Sequence, residues 1–112
     1  MYNCKYICRM ELKQIVEIGK CLSNQTRIEI LEWLKNPEAN FSINHLDISN
    51  NIGVCVGTIQ EKSGLSQSTI SIYLGNMERC GLLKMTKNGK WSYFSRNEEV
   101  IEEFLKEIQN KL

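Results

Sequence analysis

The sequence predicts a single domain over residues 1–112, mainly α-helical with one small β-hairpin (α+β), in the order ααααββα. Three observations predict this class. Apolar residues recur at helical spacing at both ends of the chain. Gly64-Leu65-Ser66 separates two short helical segments in the manner of a helix-turn-helix. Asn88-Gly89 stands between two strand-like runs, the strongest short-range signal of a hairpin.

Each element has a local reason. From about residue 8 to 22, Leu12, Ile15, Val16, Ile18 and Leu22 fall on one side of a helix. Ser23 reads as the N-cap of a second helix whose buried stripe is Ile28, Leu31 and Leu34. Asn36-Pro37 stops it, because a residue before proline is pushed out of the helical region. Residues 38–53 are polar, with Asn40, Asn44, Asn50 and Asn51, and read as a long loop pinned by Phe41, Ile43 and Leu46. A third helix is expected from Val54 to Lys62, with Gly64 as the left-handed residue that ends it. Ser66 caps a fourth, Gln67 to Cys80, closed by Gly81. Strands are expected over residues 82–86 and 91–95, and Asn97 caps a last helix to the C-terminus.

Composition narrows the function. One domain of 112 residues with 42% hydrophobic residues can bury one core. No apolar run reaches the length of a membrane span, and the first ten residues lack the apolar stretch of a secretory signal, so a cytoplasmic protein is expected. Five cysteines, Cys4, Cys8, Cys21, Cys55 and Cys80, are an odd number without the spacing of a disulfide framework and should be thiols. With His45 as the one histidine, no Ser/His/Asp or Cys/His constellation forms, and an enzyme is not expected. Net charge is only +1, but its distribution is uneven. Residues 79–96 carry Arg79, Lys84, Lys87, Lys90 and Arg96 and no acid, whereas the last helix is acidic. Two different surfaces are implied.

On a wheel of about 100° per residue, Ile70, Leu74 and Met77 form the core face of the fourth helix. Ser68, Ile72, Gly75 and Arg79 lie opposite, flanked by Thr69 and Ser71. Short polar groups at the start of such a face reach base edges in the major groove, and Gln67 suits a bidentate contact with adenine. Ser66, Ser68 and the free N–H groups of the helix start suit a phosphate. Tyr73 lies beside the core face, where its hydroxyl reaches toward the sugar-phosphate backbone. Gly75 suggests a close approach of the backbone to something else. Lys87 and Lys90 flank the hairpin tip, so a basic wing can lie along the phosphates or reach the minor groove. The partner so predicted is double-stranded DNA. A protein-interaction module without DNA binding is the other reading of the same layout, and Ile72 on the outward face favours it.

The runs Gly64-Leu65-Ser66-Gln67-Ser68-Thr69-Ile70-Ser71-Ile72-Tyr73-Leu74, Cys80-Gly81-Leu82-Leu83 and Gly89-Lys90-Trp91-Ser92-Tyr93-Phe94 resemble the ArsR/SmtB family of winged helix-turn-helix regulators. Leu22-Ser23-Asn24-Gln25-Thr26-Arg27-Ile28-Glu29-Ile30-Leu31 is similar to that family's second-helix opening. The resemblance covers about residues 12 to 108. It implies a homodimeric repressor released from its operator by a signal, and Tyr73 stands where the family usually has His. The last helix carries Val100, Ile101, Phe104, Leu105, Ile108 and Leu112, a stripe wider than about 100°. The first helix has a similar excess in Leu12, Ile15 and Val16, and in the family these two helices make the dimer interface. A dimer also makes sense of a palindromic operator.

The resemblance also bears on metals. Cys55 occupies the first position of the Cys-x-Cys that some members use for thiophilic metals, but Gly57 occupies the second. The last helix has neither His nor Asp for a zinc site. No cofactor is expected. Cys4 and Cys8, brought to Cys55 by an N-terminal arm, are a residual set for As(III) or another soft ion, and a thiol-redox switch is the other effector reading.

Overall fold

Ten elements form in the computed structural model, which describes residues 10–41, 46–47 and 53–112. They are α1 (Leu12–Cys21), α2 (Gln25–Lys35), α3 (Pro37–Asn40), β1 (Leu46–Asp47), β2 (Gly53–Cys55), α4 (Val56–Ser63), α5 (Gln67–Arg79), β3 (Leu83–Asn88), β4 (Trp91–Arg96) and α6 (Glu98–Lys111). The expected mainly helical class with a hairpin wing is present. Residues 1–9, and with them Cys4 and Cys8, lie outside the described residues, as does His45.

Several local expectations are corrected. The cap of α2 is Asn24, whose side chain accepts from the Arg27 N–H at 3.1 Å. The Ser23 hydroxyl turns back instead and donates to the Lys20 carbonyl at 2.7 Å. In the helix, Ile30 joins Leu31 and Leu34 in the core and Ile28 is left 49% exposed. The expected loop over residues 38–53 contains a helical turn, α3, begun by Pro37 at a position that needs no N–H, and two short strands. Val54 belongs to β2 and not to a helix.

The strands make one antiparallel sheet in the order β1-β2-β4-β3. β2 pairs with β4 through Val54 opposite Phe94 and Cys55 opposite Tyr93. Gly53 is required there, with φ +116 and an added Cβ only 2.3 Å from the Phe94 carbonyl oxygen. The β3–β4 ladder runs from Leu83 opposite Arg96 to Asn88 opposite Trp91. The two residues of its turn are therefore Gly89 and Lys90, one step later than Asn88-Gly89. Gly89, at φ +65, supplies the positive dihedral that a two-residue hairpin turn needs.

The core lies between the helices and the inner end of the sheet. Ile18, Ile30, Ile59, Ile70, Leu74, Met77, Leu83 and Val54 are its fully buried side chains. Each contributes roughly 1.5–3 kcal/mol of apolar burial. Gly64 ends α4 in the left-handed region at φ +73, donating its N–H to the Gln60 carbonyl, and so aims the chain into α5.

Candidate nucleic-acid interface

The start of α5 is built by its own hydroxyls. Ser66 Oγ accepts from the Thr69 N–H at 3.2 Å and donates to Thr69 Oγ1 at 2.9 Å. Ser68 Oγ lies 3.3 Å from Ser66 Oγ. This capping satisfies one of the helix's orphan donors and holds the first turn rigid. Ile70, Leu74 and Met77 point into the core, as the wheel predicts. Gln67, Ser68, Ser71 and Ile72 are exposed together, and Ile72 is 61% exposed. Thr69 is half-buried. An added Cβ on Gly75 meets nothing closer than Arg79 Nη1 at 3.9 Å, so the protomer itself does not require that glycine.

Tyr73 and Arg79 have partners within the protomer. The Tyr73 hydroxyl accepts from Asn24 Nδ2 at 3.4 Å, and the Arg27 guanidinium lies 4.9 Å from its ring centroid. Tyr73 thus ties α5 to the start of α2. Arg79 donates to Asn76 Oδ1 and lines a cleft against α1 with Lys13, Lys20 and Arg27. Twelve residues separate it from Gln67, roughly 18 Å along the helix axis. It stands far from the α5 tip that carries the exposed polar groups.

β3 is an edge strand of the sheet and forms the hairpin wing with β4. Because side chains alternate along a strand, Lys84 and Lys87 leave opposite faces. Lys90 sits in the turn itself, its Nζ 5.8 Å from the centroid of the Trp91 ring. Lys84, Lys87 and Lys90 are all exposed. Trp91, 54% exposed beside them, is a wing-tip residue that sequence reasoning passed over; its place next to Lys90 in the turn was the available signal. Arg96, counted in the basic stretch, turns inward. Its Nε donates to Glu98 at 2.7 Å and its Nη1 to the Leu31 carbonyl at 3.1 Å. The cations that the wing presents outward are thus its lysines.

The apolar stripes of the end helices divide. Ile15 and Phe104 are buried in the protomer's own core, and Val100, Ile101 and Ile108 are packed partly against it. Leu12, Val16 and Leu105 are exposed, as is Leu112. Cys55 is half-buried at the end of β2, and Gly57 is exposed in α4. Among the described residues, no three His, Cys, Asp or Glu side chains come together as a metal site. No described helix is long and apolar enough to cross a membrane.

No protein-family model matches the chain. It is 44% identical over 86 residues to YbzH of Bacillus subtilis, an uncharacterized HTH-type transcriptional regulator, over 77% of this chain and 86% of that one. It is 28% identical over 96 residues to a Halobacterium salinarum protein named as a putative arsenical resistance operon repressor, over 84% and 70% of the two chains. Among solved structures it is similar to a homodimeric winged helix-turn-helix DNA-binding domain of Mycobacterium bovis. That likeness has a TM-score of 0.61 at 24% identity, covers 89% of this chain and 81% of that one, and is a likeness of fold.

Proposed function

The chain belongs to the ArsR/SmtB family of winged helix-turn-helix transcriptional regulators, and on that premise we propose that it is a cytoplasmic, homodimeric repressor that binds a palindromic operator in duplex DNA and leaves it on a signal. The observation that carries this reading is the exposed, acid-free tip of α5 in a fold whose hairpin wing also exposes Lys84, Lys87 and Lys90. α5 enters the major groove with Gln67, Ser68 and Ser71 at base edges, while Ser66 and Thr69 hold the helix start against a phosphate. Lys87 and Lys90 follow the backbone on either side of the wing. The exposed Leu12, Val16 and Leu105 join two copies, which sets two recognition helices at the spacing of two half-sites.

A gel-shift series over genomic fragments tests it. Affinity should fall steeply with rising salt, because each lysine at a phosphate releases a counterion. No shift with any fragment at low salt, with the thiols reduced, overturns the reading. The exposure of Ile72 supports a second reading, a protein-interaction module, whose association would survive the same salt series.

A further inference from the structure

Ile72 is the large apolar side chain at the centre of an otherwise polar helix face. It is 61% exposed, one helical turn beyond Ser68, with Ser71 beside it and Gly75 one turn further on. A single exposed apolar residue is ordinary on a protein surface. This one is marked by its surroundings. No acid stands on that face, since the helix's one carboxylate, Glu78, lies in its last turn on another side. The same domain exposes Lys84, Lys87 and Lys90 on its wing, a source of charge for a polyanion. In a major groove, the base-edge group that an aliphatic side chain can match is the C5-methyl of thymine. The N7, O6, O4, N6 and N4 groups there are hydrogen-bond donors or acceptors, which isoleucine would cover and leave unpaired.

We propose that Ile72 reads the C5-methyl group of one thymine in each operator half-site, making it a specificity-determining residue. This rests on the DNA-binding reading above.

The experiment selects operators from a random duplex pool with the wild-type protein, then replaces each thymine of the selected operator by uracil, which removes only the methyl group. Affinities are measured for wild type and for Ile72→Ala, whose folding is checked by thermal denaturation. Wild type should lose about fourfold per half-site at one thymine, the worth of one buried methyl group. Ile72→Ala should bind the thymine operator more weakly and lose nothing further on uracil at that position. Equal losses in the two proteins at every thymine, or no loss anywhere, overturn the methyl reading while leaving DNA binding intact. A pool with no enriched sequence overturns DNA binding and the methyl reading together. Self-association abolished in Ile72→Ala, with DNA affinity unchanged, overturns the methyl reading in favour of a protein partner.

Discussion

Arg96 at the end of β4 donates to the main-chain carbonyl of Leu31 in α2, joining two points 65 residues apart in the chain. The same guanidinium forks onto Glu98 in the first turn of α6. One side chain therefore fastens the wing's inner end to both helices. Arg96→Ala should cost about 1.5–3 kcal/mol in denaturant unfolding, because the hydrogen bonds of a charged group disappear. Operator affinity of the folded variant should not change. The hydrogen bond from Arg96 holds the Glu98 carboxyl below the usual carboxylate range. A lowered carboxyl pKa adds stability at neutral pH that is lost as pH falls through the folded-state value. In Arg96→Ala the Glu98 titration, followed by carboxyl NMR, should move back up and that acid dependence should shrink.

Gly75 separates stability from binding. The protomer leaves room for a Cβ there. Gly75→Ala should stabilise the protein by about 1 kcal/mol through helix propensity. If the glycine lets α5 sit close to DNA, the same variant should bind its operator less tightly. A melting temperature that rises while affinity falls is the expected pair of results; unchanged affinity would remove DNA as the reason for the glycine.

Base reading and charge should separate as well. Gln67→Ala should relax preference at one operator position, seen as similar affinities for all four bases there. Lys87→Ala should weaken all sequences alike and lower the salt slope by about 1, because one phosphate then keeps its counterion. Competition binding over a panel of operators distinguishes the two outcomes.

The division of the terminal apolar stripes predicts two kinds of variant. Leu12→Asp with Leu105→Asp should yield a folded monomer by sedimentation and circular dichroism, because both side chains are exposed in the protomer. Phe104→Ala should instead cost about 3–5 kcal/mol of stability, since that ring is buried in the core.

Cys80 should be a slow thiol. Burial, with a further contribution from the neighbouring Cys21 thiol, raises its pKa from 9.0 to about 11. The protonated native form adds stability that is complete below pH 9.0 and is lost as pH rises through about 11. Alkylation at pH 8 should label Cys80 much more slowly than a free thiol. The alkaline loss of stability should be smaller in Cys80→Ala.

Local chemistry was legible in the chain wherever a residue's role depends on its immediate neighbours. Ser66, Gly64 and Asn97 mark their helix ends because caps and left-handed residues act within one turn. The core face of α5 followed from periodicity alone, and so did the exposure of Ser68, Ile72 and Arg79 opposite it. Competing local signals were harder. Ser23 and Asn24 are both good caps, and in the fold Asn24 caps α2 while Ser23 turns back to the Lys20 carbonyl. Val54 is a strand residue only because Phe94, forty positions later, pairs with it. The polar stretch before it gave no periodicity from which β1 could be seen.

Long-range packing decided the rest. Arg96 and the wing lysines are indistinguishable in a count of charge, yet the carbonyl of Leu31 turns Arg96 inward and leaves Lys84, Lys87 and Lys90 outside. Ile15 and Leu12 share one apolar stripe, and only the packing of α1 shows which of them is left uncovered. Periodicity reports which side of an element is apolar; how much of that side the rest of the chain covers is a property of the assembled fold.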